Sequence, residues 1–88
     1  MPSASKIHIV VADAVEADRQ TMADILKMHG FTVTQALDGG TAIKVVEERD
    51  VDIAIFAHHM SPRTGFDFAR HVSLNGRDVG MVLISDDM

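Results

Sequence analysis

The chain has no cysteine, no tryptophan and no tyrosine among its 88 residues, and only two prolines. Without cysteine there is no disulfide to staple a small fold and no thiolate to hold a metal, which fits a reducing compartment. Without tryptophan or tyrosine the core has to be aliphatic, filled out by four phenylalanines and six methionines. Positive charge is also scarce: eight Lys and Arg stand against thirteen Asp and Glu, a formal charge of -5. That balance, with no Lys/Arg cluster, argues against a nucleic-acid surface. No apolar run approaches the roughly 18 residues of a spanning helix. The opening "MPSASK" lacks the apolar segment of a signal peptide. The expectation is a soluble, cytoplasmic protein with no nucleic-acid and no membrane partner.

What is present suits one small globular domain over residues 1–88. Hydrophobic residues make up 47% of the chain, ordinary for a folded protein and too many for a disordered one. Strand and helix patterns alternate. "KIHIVVA" is a short, nearly continuous apolar run, the mark of a strand covered on both faces. In "DAVEADRQTMADILKMHG", Met22, Ile25, Leu26 and His29 fall at helical spacing, with Asp18, Arg19, Asp24 and Lys27 outward. Asp13, Glu16 and Asp18 bring negative charge to the positive end of that helix, and Gly30 stops it. "FTVTQA" alternates as a strand and "LDGG" reads as a turn. "TAIKVVEERD" reads as a second helix with Ala42, Ile43 and Val46 inward. "VDIAIFA" is a buried strand, and "HHMSPRTG" reads as a loop because Pro62 and Gly65 break regular patterns. "FDFARHVSLNG" gives a third helix with Phe66, Ala69 and Val72 inward and Asn75-Gly76 as its end. "VGMVLIS" is a fourth strand.

The order βαβαβαβ requires parallel strands with helices on both faces of the sheet. In such sheets ligands sit beyond the carboxyl ends of the strands. The candidate site is therefore Ala12 and Asp13, Ala57 to Met60, and Ser85 to Asp87.

In their order and spacing, "KIHIVVAD", "HGFTVTQALDGGTAI", "VDIAIFAHHMSPRTGFDFARHV" and "MVLIS" resemble the receiver domains of two-component response regulators. The resemblance implies a flavodoxin-like (CheY-like) three-layer fold with sheet order 2-1-3-4-5. About four strands and three helices of it are present, and the last β–α portion is missing. It also implies a chemistry: an aspartate ending the third strand accepts a phosphoryl group from a histidine kinase. Two acidic residues after the first strand help hold Mg²⁺, which neutralises the transferring group. A Thr or Ser hydroxyl ending the fourth strand reports the phosphoryl group.

Against that pattern the acceptor position is Ala57, whose methyl cannot be phosphorylated. The first acidic position is Ala12, leaving Asp13 alone as a weak residual ligand, so the Mg²⁺ site is expected to be lost and no cofactor is expected. Ser85 keeps the switch hydroxyl, and His58, His59 and Met60 form the loop beside Ala57. Asp13 also suits a plain helix-start role. Adjacent histidines such as His58 and His59 seldom converge on one ion, and His8 and His71 read as packing or surface residues.

The expected function is that of a non-enzymatic pseudo-receiver in phosphorelay-type signalling, a protein-interaction module independent of phosphorylation. Three alternatives stand beside it: a fragment of a longer response regulator or hybrid kinase, a small-molecule or metal sensor using the strand-end crevice, and a phosphotransfer protein using His58 or Asp86. The expected partners are signalling proteins. An uncovered fourth strand also invites self-association through Met81, Val82, Leu83 and Ile84.

Overall fold

The computed structural model describes residues 7–57, 62–74 and 78–84. The elements run β1 (His8–Ala12), α1 (Glu16–Met28), β2 (Thr32–Ala36), α2 (Gly39–Glu48), β3 (Ile53–Phe56), α3 (Pro62–Leu74) and β4 (Gly80–Leu83). The four strands form one parallel sheet in the order β2-β1-β3-β4, as the alternation of elements requires. β1 lies inside the sheet, which explains its unbroken apolar run. Val10 and Ala12 join Ala54 and Phe56 of β3 in a core closed by Ala42 and Val46 of α2 and by Phe68 and Val72 of α3. Ile9 and Val11 point to the other face, beneath α1, and are equally buried.

Helix α1 is rotated from the phase its hydrophobicity suggests. Its inward stripe is Arg19, Met22, Ala23 and Leu26, with Ala23 fully buried, whereas Ile25 is 50% exposed and His29 caps the helix outside it. Alanine lets the helix approach the sheet closely, and Arg19 is drawn inward by hydrogen bonds to Asp13 and Gln35. Gly30 ends the helix with φ +92°, a left-handed conformation that suits glycine.

Helix α2 starts at Gly39, so only Leu37 and Asp38 of "LDGG" form the turn. Asp38 is the N-cap, and its Oδ1 accepts a hydrogen bond of 2.8 Å from the Thr41 N–H. The backbone and side-chain hydrogen bonds from Thr41 hold its carboxyl below the ordinary value of 3.8. A lowered carboxyl stabilises the fold fully above the unfolded-state value, and that contribution disappears as pH falls through the folded one. Asp38→Ala should therefore lower the melting temperature at neutral pH, and the gap to the parent should close in strong acid. Thermal melts at several pH values check this.

Helix α3 begins at Pro62, four residues before the expected Phe66. Proline at the first helical position costs no internal hydrogen bond, so Pro62 opens the helix instead of breaking it. Among its described side chains, Phe68 and Val72 are buried and Ala69 is half-buried. The side chain of Phe66 and the pair Asn75-Gly76 lie outside the described set.

At the amino ends of the strands, His8 ties three segments together. Its Nδ1 lies 2.9 Å from the Asp50 carbonyl and its Nε2 lies 2.7 Å from the Thr34 hydroxyl. A carbonyl only accepts, so Nδ1 carries a proton. The His8 N–H also donates to Asp52 Oδ2 at 2.8 Å. His71 joins α3 to α2 through Glu47 at 2.7 Å. Both histidines make structural contacts, as their placement in a strand and a helix suggested.

Candidate functional site

The carboxyl ends of β1 and β3 lie side by side. Ala12 pairs with Phe56 in register, and the Ala57 N–H donates to the Ala12 carbonyl at 3.0 Å. This register puts Asp13 next to Ala57, on adjacent strand paths about 4.8 Å apart. Ala57 is 3% exposed and Asp13 is 1% exposed. The strand-end centre thus holds a buried methyl beside a buried carboxylate.

Asp13 is held from several directions. Its N–H donates to the Ala36 carbonyl of β2 at 3.1 Å, and its Oδ1 accepts the Val15 N–H at 2.9 Å. The cap of α1 itself is Val15, which makes no side-chain bond. Asp13 therefore folds the two-residue approach to the helix without serving as its N-cap. The macrodipole benefit at the helix start falls instead to Glu16 and Asp18 in the first turn.

Arg19 belongs to this end of the molecule, although its sequence position suggested an outward residue. Its Nη1 donates to the Asp13 carbonyl at 2.9 Å and its Nε to Gln35 Oε1 at 3.0 Å. Gln35 in turn donates to Gln20 Oε1 at 3.3 Å. A cation is thereby anchored between α1 and the ends of β1 and β2. Its signal in the sequence is a basic residue in the first turn of α1, six residues after Asp13.

Of the other candidates, His58, His59, Met60, Ser85, Asp86 and Asp87 lie outside the described residues. Among the described residues, no group of three or more His, Asp or Glu side chains is placed to hold a metal ion. Among the described residues, clefts occupy other parts of the surface. One of about 350 Å³ lies between α3 and β4, lined by Phe68, Val72 and Met81 among others. Another, of about 400 Å³, lies near Val51 and Val79. Neither is lined by Ala12, Asp13 or Ala57.

No protein-family model matches the sequence, and no curated protein matches it. Solved structures do. The chain superposes on CheY4, a chemotaxis protein of Vibrio cholerae, with a TM-score of 0.72 and 25% identity, over 82% of this chain and 60% of that one. The chain has the fold of a response-regulator receiver domain. A signal receiver domain of an HD domain-containing protein from Pseudomonas fluorescens Pf-5 gives a TM-score of 0.79 at 22% identity, over 93% of this chain and 66% of that one. A third match comes from the Saccharomyces cerevisiae co-crystal of the histidine phosphotransfer protein Ypd1 with the receiver domain of Ssk1. It has a TM-score of 0.73 at 13% identity and covers 89% of this chain and 62% of that one. The chain thus spans about three-fifths to two-thirds of the length of these receiver structures. Among the described residues, no helix is long and apolar enough to cross a membrane.

Proposed function

We propose that this chain is a pseudo-receiver: a signalling module of the two-component type that acts through non-covalent contacts and accepts no phosphoryl group. The observation that carries this reading is Ala57, buried directly after β3 in a receiver fold. The family's chemistry asks for an aspartate there, and a methyl offers no oxygen to phosphorus. Ala12 supports the same reading, because it leaves Asp13 as the one carboxylate at the end of β1. Mg²⁺ prefers one or two carboxylates together with phosphate oxygens and keeps several waters. With no acceptor to supply those oxygens and Asp13 already accepting the Val15 N–H, the donor set fits Mg²⁺ poorly, so the module works without it.

In this reading the Arg19–Asp13–Gln35 network keeps the strand ends in one arrangement, and partner affinity depends on surface contacts alone. A phosphotransfer protein or kinase domain is the kind of partner expected, since the Ssk1 receiver was crystallised with the phosphotransfer protein Ypd1. Amide NMR spectra of the chain, recorded with Mg²⁺ and with the phosphoryl mimic beryllofluoride, test the proposal. Unchanged resonances are expected. Shifts converging on Ala12, Asp13 and Ala57 would contradict it.

A further inference from the structure

The ring of His8 stands in a one-way chain of hydrogen bonds at the amino ends of the strands. Its Nδ1 donates to the Asp50 carbonyl at 2.9 Å, which leaves Nε2 of the neutral ring able only to accept. The Thr34 hydroxyl, 2.7 Å from Nε2, is then the donor. Thr34 Oγ1 in turn accepts from Arg49 Nη1 at 3.4 Å. The chain therefore runs from Arg49 to Thr34 to His8 to Asp50, and its two ends are consecutive residues. Arg49 is the C-cap of α2, with its N–H on the Val45 carbonyl at 2.9 Å. The side chain of Arg49 is thus tied to β2 and the backbone of Asp50 to β1. One imidazole holds the end of α2 and the link to β3 against the sheet.

We infer that His8 is a proton-operated latch: its neutral form clamps the end of α2 to β2 through Thr34 and Arg49, and its protonated form releases Arg49. Histidine is the side chain that ordinarily gains or loses charge between pH 5 and 8. A proton on Nε2 makes both ring nitrogens donors. The Thr34 hydroxyl then loses its acceptor on the ring, and its oxygen faces two cationic donors at once. Of these, Arg49 is exposed and makes the longer bond, whereas the imidazole is half-buried and anchored through Nδ1. Arg49 gives way. Carboxylates flank the site: Glu48 in α2, Asp50 and Asp52 before β3, and Asp78, which shares a cleft with both. Asp52 also accepts the His8 N–H at 2.8 Å. These groups tolerate an imidazolium, so the ring stays in place while the guanidinium leaves.

The latch lies at the start of β1, at the opposite end of the sheet from Ala57. It gives the module an input that needs no acceptor aspartate: acidification changes the surface presented by the last turn of α2. None of its four groups belongs to the strand-end crevice, so this inference and the pseudo-receiver reading fail separately. His71 also reaches α2, through Glu47 at 2.7 Å, and its titration has to be told apart from that of His8.

NMR spectra of the whole chain from pH 8 to pH 5 test it. At pH 8 the imidazole nitrogens of His8 should show the proton on Nδ1. As the ring gains charge, protection of the Arg49 N–H, referred to the intrinsic exchange rate at each pH, should fall. The expected drop is about two- to tenfold, the range for losing one modest hydrogen bond. Thr34→Val keeps the β-branched shape and removes the oxygen. In that variant His8 should still titrate, while Arg49 protection is low throughout and no longer follows it. In His71→Gln the response should persist. A neutral ring with its proton on Nε2 would overturn the inference, as would Arg49 protection that ignores the charge of His8. So would a response that survives in Thr34→Val or is lost in His71→Gln, because either places the sensor elsewhere.

Discussion

Replacing Phe56 with alanine is expected to remove about 3–5 kcal/mol of folding stability. Phe56 and Phe68 are each 1% exposed, and their rings meet edge to face with centroids 5.0 Å apart. The pair joins β3 to α3 and sits at the centre of the core formed with Val10, Ala42 and Val46. Truncation leaves a cavity that the flanking Ala12 and Ala54 are too small to fill, and it also forfeits the aromatic contact, which adds about 0.5–1.5 kcal/mol beyond area. A domain of this size has about 4–13 kcal/mol in total, at 0.05–0.15 kcal/mol per residue. The substitution therefore takes about a quarter or more of the stability, and the melting temperature should fall by more than about 10 °C. Thermal and urea unfolding followed by circular dichroism measure the loss. A change below about 1 kcal/mol would mean that the two rings do not form the centre of the core.

Ala57→Asp should be almost as damaging at neutral pH. The position is 3% exposed, and the register sets it beside the buried Asp13. A second carboxylate there is both desolvated and next to a like charge, a combination that costs about 3–5 kcal/mol when nothing compensates it. Protonation removes the charge, so the variant should lie much closer to the parent at pH 4 than at pH 7 when both are compared by urea midpoint. If the variant matches the parent at pH 7, the strand ends still hold a group or ion that welcomes the carboxylate, and the site is less altered than Ala57 and Ala12 indicate.

The strands were legible because each combines β-branched apolar residues with a turn on either side. Their parallel order followed from the intervening helices. The phase of α1 was not legible from hydrophobicity, which ranks Ile25 above Ala23. Close helix–sheet packing reverses that ranking, because a small side chain permits contact that a large one prevents. Arg19 was misplaced for a related reason: a charged side chain reads as solvent-facing until a buried carbonyl such as that of Asp13 is known to await it. The start of α3 was obscured by Pro62 and Gly65, which act as breakers in a helix interior and are tolerated in the first turn. Phe68 was missed as the core residue of that helix because the phase was set from Phe66.

At the candidate site, the juxtaposition of Ala12, Asp13 and Ala57 was readable, since each follows or ends a strand whose neighbours the topology fixes. The use of the Asp13 carboxylate to hold the Val15 N–H was not, because an acidic residue before a helix looks the same in sequence whether it caps the helix or folds the approach to it.

Incubation of the chain with Mg²⁺ and a small phosphodonor such as acetyl phosphate, followed at once by intact-mass measurement, tests the pseudo-receiver reading most directly. The account predicts a single species at the unmodified mass. A species heavier by one phosphoryl group, stable enough to be mapped to any residue of the strand-end crevice, would contradict it.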